Sequence, residues 1–202
     1  KSINSVRSSV AEGRAIKYFR EGDLDNSVLE FDKAIRLAPG NPVNYSNRAQ
    51  VFLTYQTRPD LFTELGCAQQ SETAYFVCLG IKSLESNLTA VSQQPFNYRA
   101  NIAAGNAAFN LNLHESAVES YGNAARMVPN SWRIQNDLAE SQIKLGLFDE
   151  AFAGLDRSIA ITGDDPRSAT AILLLGTAYE AMGDTEMAIQ SLERSLAMGL
   201  GV

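Results

Sequence analysis

The chain has 202 residues, 45% of them hydrophobic and 20% charged, which is enough apolar material for a continuous core and excludes an intrinsically disordered chain. The net charge of -6 is uneven: residues 137–202 hold 11 acids against Lys144, Arg157, Arg167 and Arg194, whereas residues 1–136 hold 12 acids against 13 bases. An acidic balance without a Lys/Arg block excludes a nucleic-acid backbone as partner, because that binding rests on neutralising phosphates.

Helical periodicity predicts elements in pairs along the chain. Ser8–Arg20 is followed by Asp25–Leu37, and Val43–Tyr55 by roughly Gln70–Ser92. Tyr98–Asn110 precedes Glu115–Val128, Trp132–Leu145 precedes Asp149–Ile161, and Ala169–Met182 precedes Glu186–Met198. Gly22, Gly146 and Gly183 fall between the members of a pair, where a left-handed residue ends the first helix, and Asp23, Asp149 and Asp184 are placed to cap the second. Pro39 and Pro129 close second members. Cys67 and Cys78, 11 apart, would lie about 16 Å apart along one helix, beyond disulfide reach, and read as two buried free thiols.

The pairs repeat. Gly105, Ala117, Tyr121, Ala124 and Pro129 are answered at i+34 by Ala139, Ala151, Leu155, Ser158 and Gly163. Ala11, Ala15 and Tyr18 are answered at the same spacing by Tyr45, Ala49 and Phe52. The set Gly176, Gly183, Ala188 and Leu192 follows its predecessors at i+37, the chain being lengthened by three around Pro166. Small residues at Ala15, Ala49, Gly105, Ala139 and Gly176 mark where two antiparallel helices cross closely. The last repeat reads Leu175-Gly176, Tyr179, Gly183-Asp184, Ala188, Leu192, and the first reads Ala15, Tyr18, Gly22-Asp23, Phe31, Ala34, Pro39.

This pattern resembles the tetratricopeptide repeat family, whose units of about 34 residues stack as helical hairpins. The resemblance implies an all-α fold: a right-handed α-solenoid of about five hairpins in a single domain over residues 1–202, with repeats at approximately 8–41, 42–97, 98–131, 132–165 and 169–202. The second repeat is enlarged, because Tyr98 follows Pro42 at i+56 instead of i+34, which leaves 22 extra. Ala74, Val77, Cys78, Ile81, Leu84, Leu88 and Val91 keep three-and-four spacing, which argues for a lengthened helix. Arg58-Pro59-Asp60 and Gln94-Pro95 punctuate its two sides, Leu61 to Leu65 adds a helical turn, and the insertion reads either as a harmless loop or as a ledge beside the groove.

In the family resembled, inner positions of each first helix bind a partner protein or extended peptide. Here they are Glu12, Ile16, Phe19 and Arg20; Val43, Ser46, Gln50 and Leu53; Arg99, Ile102, Asn106, Phe109 and Asn110; Arg133, Asn136, Glu140, Ile143 and Lys144; and Leu173, Thr177 and Glu180. Asn106, Asn110 and Asn136 suit the backbone of a peptide, Arg99 and Arg133 its carboxylates, and Phe109 an apolar anchor. Tyr45-Ser46-Asn47-Arg48-Ala49 is similar to the second repeat of members that clamp the C-terminal carboxylate of heat-shock chaperones. The other clamp places hold Glu12, Ile16, Arg99 and Ala103, so that only Asn47, and Arg99 by charge, carry over.

No glycine-rich phosphate loop, zincin helix or nucleophile elbow occurs, no metal-ligand cluster appears, and neither an enzyme nor a cofactor or small-molecule substrate is expected. His114 reads as a solvated turn residue, Asp164-Asp165 as a cap for the next helix, and Asn87-Leu88-Thr89 as a glycosylation match on a long helix. The longest stretch without Asp, Glu, Lys or Arg, Ala100 to His114, is too short and too rich in Asn to cross roughly 30 Å of hydrocarbon. Ser2 to Val10 lacks the apolar run of a secretory signal, and a chain opening on Lys1 reads as an excised piece: a soluble domain, with the cytoplasm favoured.

The first hairpin, the interrupted second repeat, the Pro-Phe-Asn-Tyr entry at Pro95 to Tyr98 and the further repeats resemble the soluble tails of some bacterial O-antigen polymerase or ligase-like membrane proteins. That resemblance implies an accessory module attached to a membrane protein. The last face, with Ile172, Leu192, Leu196 and Met198 expected to be partly exposed and no polar capping helix after them, points to end-to-end self-association.

Overall fold

The computed structural model describes residues 3–57, 67 and 72–199. Among these residues there are ten α-helices and no strand, and they group into two compact units, 1–112 and 113–202, whose boundary falls between the members of the third predicted pair. None of the described helices is long and apolar enough to cross a membrane.

The first unit holds α1 (Ile3–Glu21), α2 (Leu24–Leu37), α3 (Pro42–Thr57), α4 (Glu72–Gln93) and α5 (Tyr98–Asn110). α1 turns into α2 at Gly22, whose φ of 79° a side chain would strain. The Asp23 carboxylate then accepts from the Asn26 N–H at 3.2 Å and caps α2. Ala15 is fully buried, as its place at a helix crossing requires. Around it lie Phe31, Val51, Phe52, Tyr55, Tyr75 and Leu79, which form one core. Buried serines fasten helix to helix: Ser27 donates to the Ala15 carbonyl at 2.9 Å and Ser83 to that of Ala49 at 3.2 Å.

The second unit holds α6 (His114–Met127), α7 (Trp132–Lys144), α8 (Phe148–Thr162), α9 (Ser168–Met182) and α10 (Thr185–Ala197). Ala139, Ile143, Ala151, Leu155, Ala171 and Ala178 form its core, with Phe148, Phe152 and Leu175 packed on it. A Cβ on Gly176 would meet the Leu192 side chain at 3.1 Å, which is why the crossing of α9 and α10 takes glycine. Ser195 donates to the Ala169 carbonyl at 2.9 Å, the same device as in the first unit.

The repeat register survives the insertion. The carbonyls of Pro39, Pro95 and Pro129 each accept from the side chain at i+6, namely Tyr45 at 3.2 Å, Asn101 at 3.1 Å and Gln135 at 3.1 Å. Pro129 follows Pro95 at i+34, the spacing of one repeat, whereas Pro95 follows Pro39 at i+56, so the whole of the extra length is absorbed before Pro95.

Several expectations need correction. Cys67 and Cys78 are joined in a disulfide with Cα atoms 5.8 Å apart, because α4 begins at Glu72 and Cys67 precedes it. α4 is long as expected, yet the face chosen from the apolar spacing is largely outside: Val77, Ile81 and Leu88 are exposed, while Tyr75, Leu79, Ser83, Asn87 and Ala90 point into the core. Asp149 is not the cap of α8, since the cap position is Leu147, which has no side-chain hydrogen bond. Asp165 tightens its own turn by accepting from the Arg167 N–H at 2.9 Å, and α9 has no side-chain cap. His114 is the first residue of α6 and half-buried, not a solvated turn residue. Asn87 is buried and donates to the Ala103 carbonyl at 3.4 Å, so it offers no glycan acceptor. Ile172 is buried, whereas Leu192 and Leu196 are exposed as expected. The Arg58-Pro59-Asp60 punctuation, the Leu61 to Leu65 turn and the ledge lie outside the described residues.

Candidate interaction surfaces

In the first unit, α1, α2 and α3 enclose a hollow of about 320 Å³ lined by Ile16, Phe19, Arg20, Phe31, Asn47 and Gln50. Four of these, Ile16, Phe19, Arg20 and Gln50, come from the predicted inner positions of the first helices, and Asn47 from the clamp-like motif. Ile16 and Phe19 rest half-buried on the core, so the floor is apolar, and Arg20 and Gln50 stand exposed at the rim. An apolar floor with a few polar groups at its edge is the composition of a side-chain pocket. Glu12, Val43, Ser46 and Leu53 do not line it.

Arg48, next to Asn47, turns the other way. Its guanidinium donates to Asp32 at 2.6 Å and to the Ser86 hydroxyl at 3.1 Å, and lies 5.8 Å and 5.9 Å from the ring centres of Tyr45 and Phe52. It ties α2, α3 and α4 together, so the motif serves packing through Arg48 and the hollow through Asn47.

On α5, Arg99 is exposed, with its Nε donating to the Tyr98 hydroxyl at 3.1 Å and its guanidinium over that ring. Asn106 and Asn110 are exposed and Phe109 is half-buried. None of the four contributes to the hollow around Asn47.

On α7, Arg133, Asn136 and Glu140 lie at i, i+3 and i+7 and share a face. Arg133 is exposed, its guanidinium 5.0 Å from the centre of the Trp132 ring. Glu140 is half-buried. Asn136 is only 4% exposed, and neither of its amide atoms finds a hydrogen-bond partner among the described residues. Such an orphan is uncommon and costly in a folded protein.

Asp137, which no sequence motif marks, adds to this site. Burial, followed by the nearby Glu140 charge, pushes its carboxyl up to about 6 against the opposing pull of Arg133. Burial, together with Asp137 and Glu140, also raises the Tyr121 phenol above its ordinary value. The signal for Asp137 in the sequence was its spacing, one helical turn before Glu140 and after Arg133. Among the described residues, no group of three or more His, Cys, Asp or Glu could hold a metal ion.

Residues 133–199 match the family model described as tetratricopeptide repeat. Among solved structures, the chain is similar to MamA, at 17% identity and a TM-score of 0.75 over 95% of this chain and 91% of that one. It is also similar to MamA 41-end from Desulfovibrio magneticus RS-1, at 9% identity and a TM-score of 0.72 over 95% and 94%. YrrB, a TPR protein with an unusual peptide-binding site, matches at 14% identity and a TM-score of 0.73 over 94% of this chain and 84% of its own. At these identities the likeness is one of fold: stacked tetratricopeptide hairpins, an α-solenoid.

Proposed function

The chain has the tetratricopeptide repeat fold, and we propose that it is a protein-interaction scaffold, without catalysis, cofactor or nucleic-acid partner, that holds an extended segment of another protein against the first helices of its hairpins. The hollow around Asn47 is the observation that carries this reading. Ile16, Phe19 and Phe31 supply an apolar seat for one side chain, while Asn47 and Gln50 can exchange hydrogen bonds with the backbone beside it. Asn106 and Asn110 serve the same backbone role on α5, Asn136 does so on α7 once the partner uncovers its buried amide, Phe109 is a second apolar anchor, and Arg99 and Arg133 receive carboxylates, with Glu140 accepting from a donor of the partner. YrrB, with its peptide-binding site, supports the choice of a peptide as ligand.

Affinity purification with mass spectrometry identifies the partner. Phe19→Asp with Asn47→Ala then lowers its recovery at least tenfold, and Arg99→Glu with Arg133→Glu weakens it further. Undiminished recovery by both variants sinks the reading.

The Cys67–Cys78 disulfide favours an oxidising compartment over the cytoplasm, because such bonds persist outside the reducing cytosol. It supports a second reading, in which this domain is the accessory part of a membrane protein and faces the cell exterior or a periplasm. The full-length gene separates the two readings: a protein without membrane spans excludes the second. Self-association through α10 completes the proposal, because Ile189, Leu192 and Leu196 stand exposed on it.

A further inference from the structure

A second hollow, of about 520 Å³, opens between α1 and α2 on a different face of the first unit. Its floor is Val6, Val10 and Leu37, and both valines are 52% exposed. Its rim is Arg7, Arg14 and Arg36, all exposed and without an ion pair among the described residues. Lys33 also lines it and is held 3.6 Å from Glu30. On a chain with net charge -6, three unneutralised arginines around a wet apolar floor form a surface shaped for an acidic, amphipathic helix.

α10 is such a helix. Ala188, Ser191 and Ser195 are its buried side. At about 100° per residue, Ile189 and Leu196 fall at i and i+7 on one stripe of the outer side, with Leu192, which packs on Gly176, at its edge, the spacing of anchors that enter a groove. Glu186 and Glu193 lie beside that stripe, within about 60° of Ile189, while Arg194 is turned about 140° away. The outer face therefore offers carboxylates and aliphatic side chains together.

We propose that α10 of one copy docks into the α1/α2 groove of a second copy, with Ile189 and Leu196 on Val6 and Val10 and with Glu186 and Glu193 against Arg7, Arg14 and Arg36. This rests on the proposed self-association and names the surface that receives it. The contact is heterologous, so each docking event leaves one groove and one α10 face free, and association continues past the dimer unless a ring closes. Because the rim is ionic and exposed, added salt weakens the assembly.

The test is sedimentation velocity of the chain across micromolar to submillimolar concentration, for the wild type and two charge-reversed variants. One is Arg7→Glu, Arg14→Glu, Arg36→Glu; the other is Glu186→Arg, Glu193→Arg. The wild type associates, each variant alone associates at least tenfold more weakly, and an equimolar mixture regains assembly because each altered face now meets its complement. Thermal melts show that the variants fold, and Leu196→Glu, a change at one exposed side chain, provides an independent loss of assembly should the triple variant unfold. A wild type that stays monomeric overturns both this proposal and self-association. Association that ignores the arginine changes, or a mixture that fails to recover it, overturns the groove as receiver and leaves self-association through α10 standing.

Discussion

Cys67 and Cys78 are bonded across a sequence separation of 11, with Cα atoms 5.8 Å apart, and Cys67 is buried in the core of the first unit. The bond restricts the unfolded chain, and closing a loop of this size stabilises the fold by about 3 kcal/mol in the chain-entropy treatment. Denaturant unfolding with and without a reductant measures it directly. Cys67→Ser with Cys78→Ser should match the reduced wild type and should be unaffected by reductant. Equal stability of reduced and oxidised protein would show that the bond restricts little.

Asp137 gives the protein a pH dependence of definite sign. Its carboxyl is pushed up to about 6 in the fold from 3.8, so between these values the folded state keeps a proton that the unfolded state releases. Its contribution is therefore full below the lower value and is lost as pH rises through the upper one. Asp137→Asn removes that slope and raises stability at neutral pH by about 1 kcal/mol, after allowing for partial solvation of the group. Urea titrations at several pH values between 4 and 8 check it; a wild type that becomes more stable across this window, with the slope removed in the variant, contradicts the assignment.

Much of the fold was legible because repeats repeat. The bounds of α5, Tyr98–Asn110, followed from the repeat spacing and the Asn112 turn after it; in the structure Asn97 caps that helix, and the Pro39, Pro95 and Pro129 turns keep one geometry on both sides of the insertion. The inner face of α4 was not legible, because Val77 and Ile81 form as good an apolar stripe as Tyr75 and Leu79, and the true inner face carries Ser83 and Asn87. Nothing in a helical wheel marks a buried asparagine. The turn at Asn112, with φ of 57°, takes the conformation that glycine supplies elsewhere, which asparagine tolerates. In the candidate surface, Asn47 followed from the clamp-like Tyr45-Ser46-Asn47-Arg48-Ala49 motif, whereas Asp137 depends on burial by neighbouring side chains, a tertiary property.

The crossing of α9 and α10 should respond sharply to size. Gly176→Ala gains about 1 kcal/mol of helix propensity against a Cβ that would lie 3.1 Å from Leu192, so the two effects nearly cancel. Gly176→Val adds further methyl groups to a closed contact and should lower stability by about 2 kcal/mol or more. Chemical denaturation of both variants checks the contrast, and a valine as well tolerated as the alanine would mean that the two helices can separate freely.

Arg48 should prove structural rather than ligand-binding. Its planar guanidinium reaches Asp32 and Ser86 together while covering Tyr45 and Phe52, a combination that lysine cannot copy. Arg48→Lys and Arg48→Ala should both lower stability by about 1–2 kcal/mol. Partner binding, measured at saturating fold, stays within about twofold of wild type. A loss of binding much larger than the loss of stability would put Arg48 in the interaction surface.

Asn136 separates stability from function. Both of its amide atoms are buried without a partner among the described residues, and leaving a polar group in this state costs about 1–3 kcal/mol. Natural chains keep such an expense where something else uses the group. Asn136→Leu, of similar volume, should therefore raise the stability of the unliganded protein by about 1 kcal/mol while weakening capture of the partner identified by affinity purification at least fivefold. The two readouts move in opposite directions only if binding uncovers the amide and it then meets the partner's backbone. A variant that is more stable and binds undiminished removes Asn136 from the interaction surface, and one that is less stable would indicate a packing role that its missing hydrogen bonds conceal.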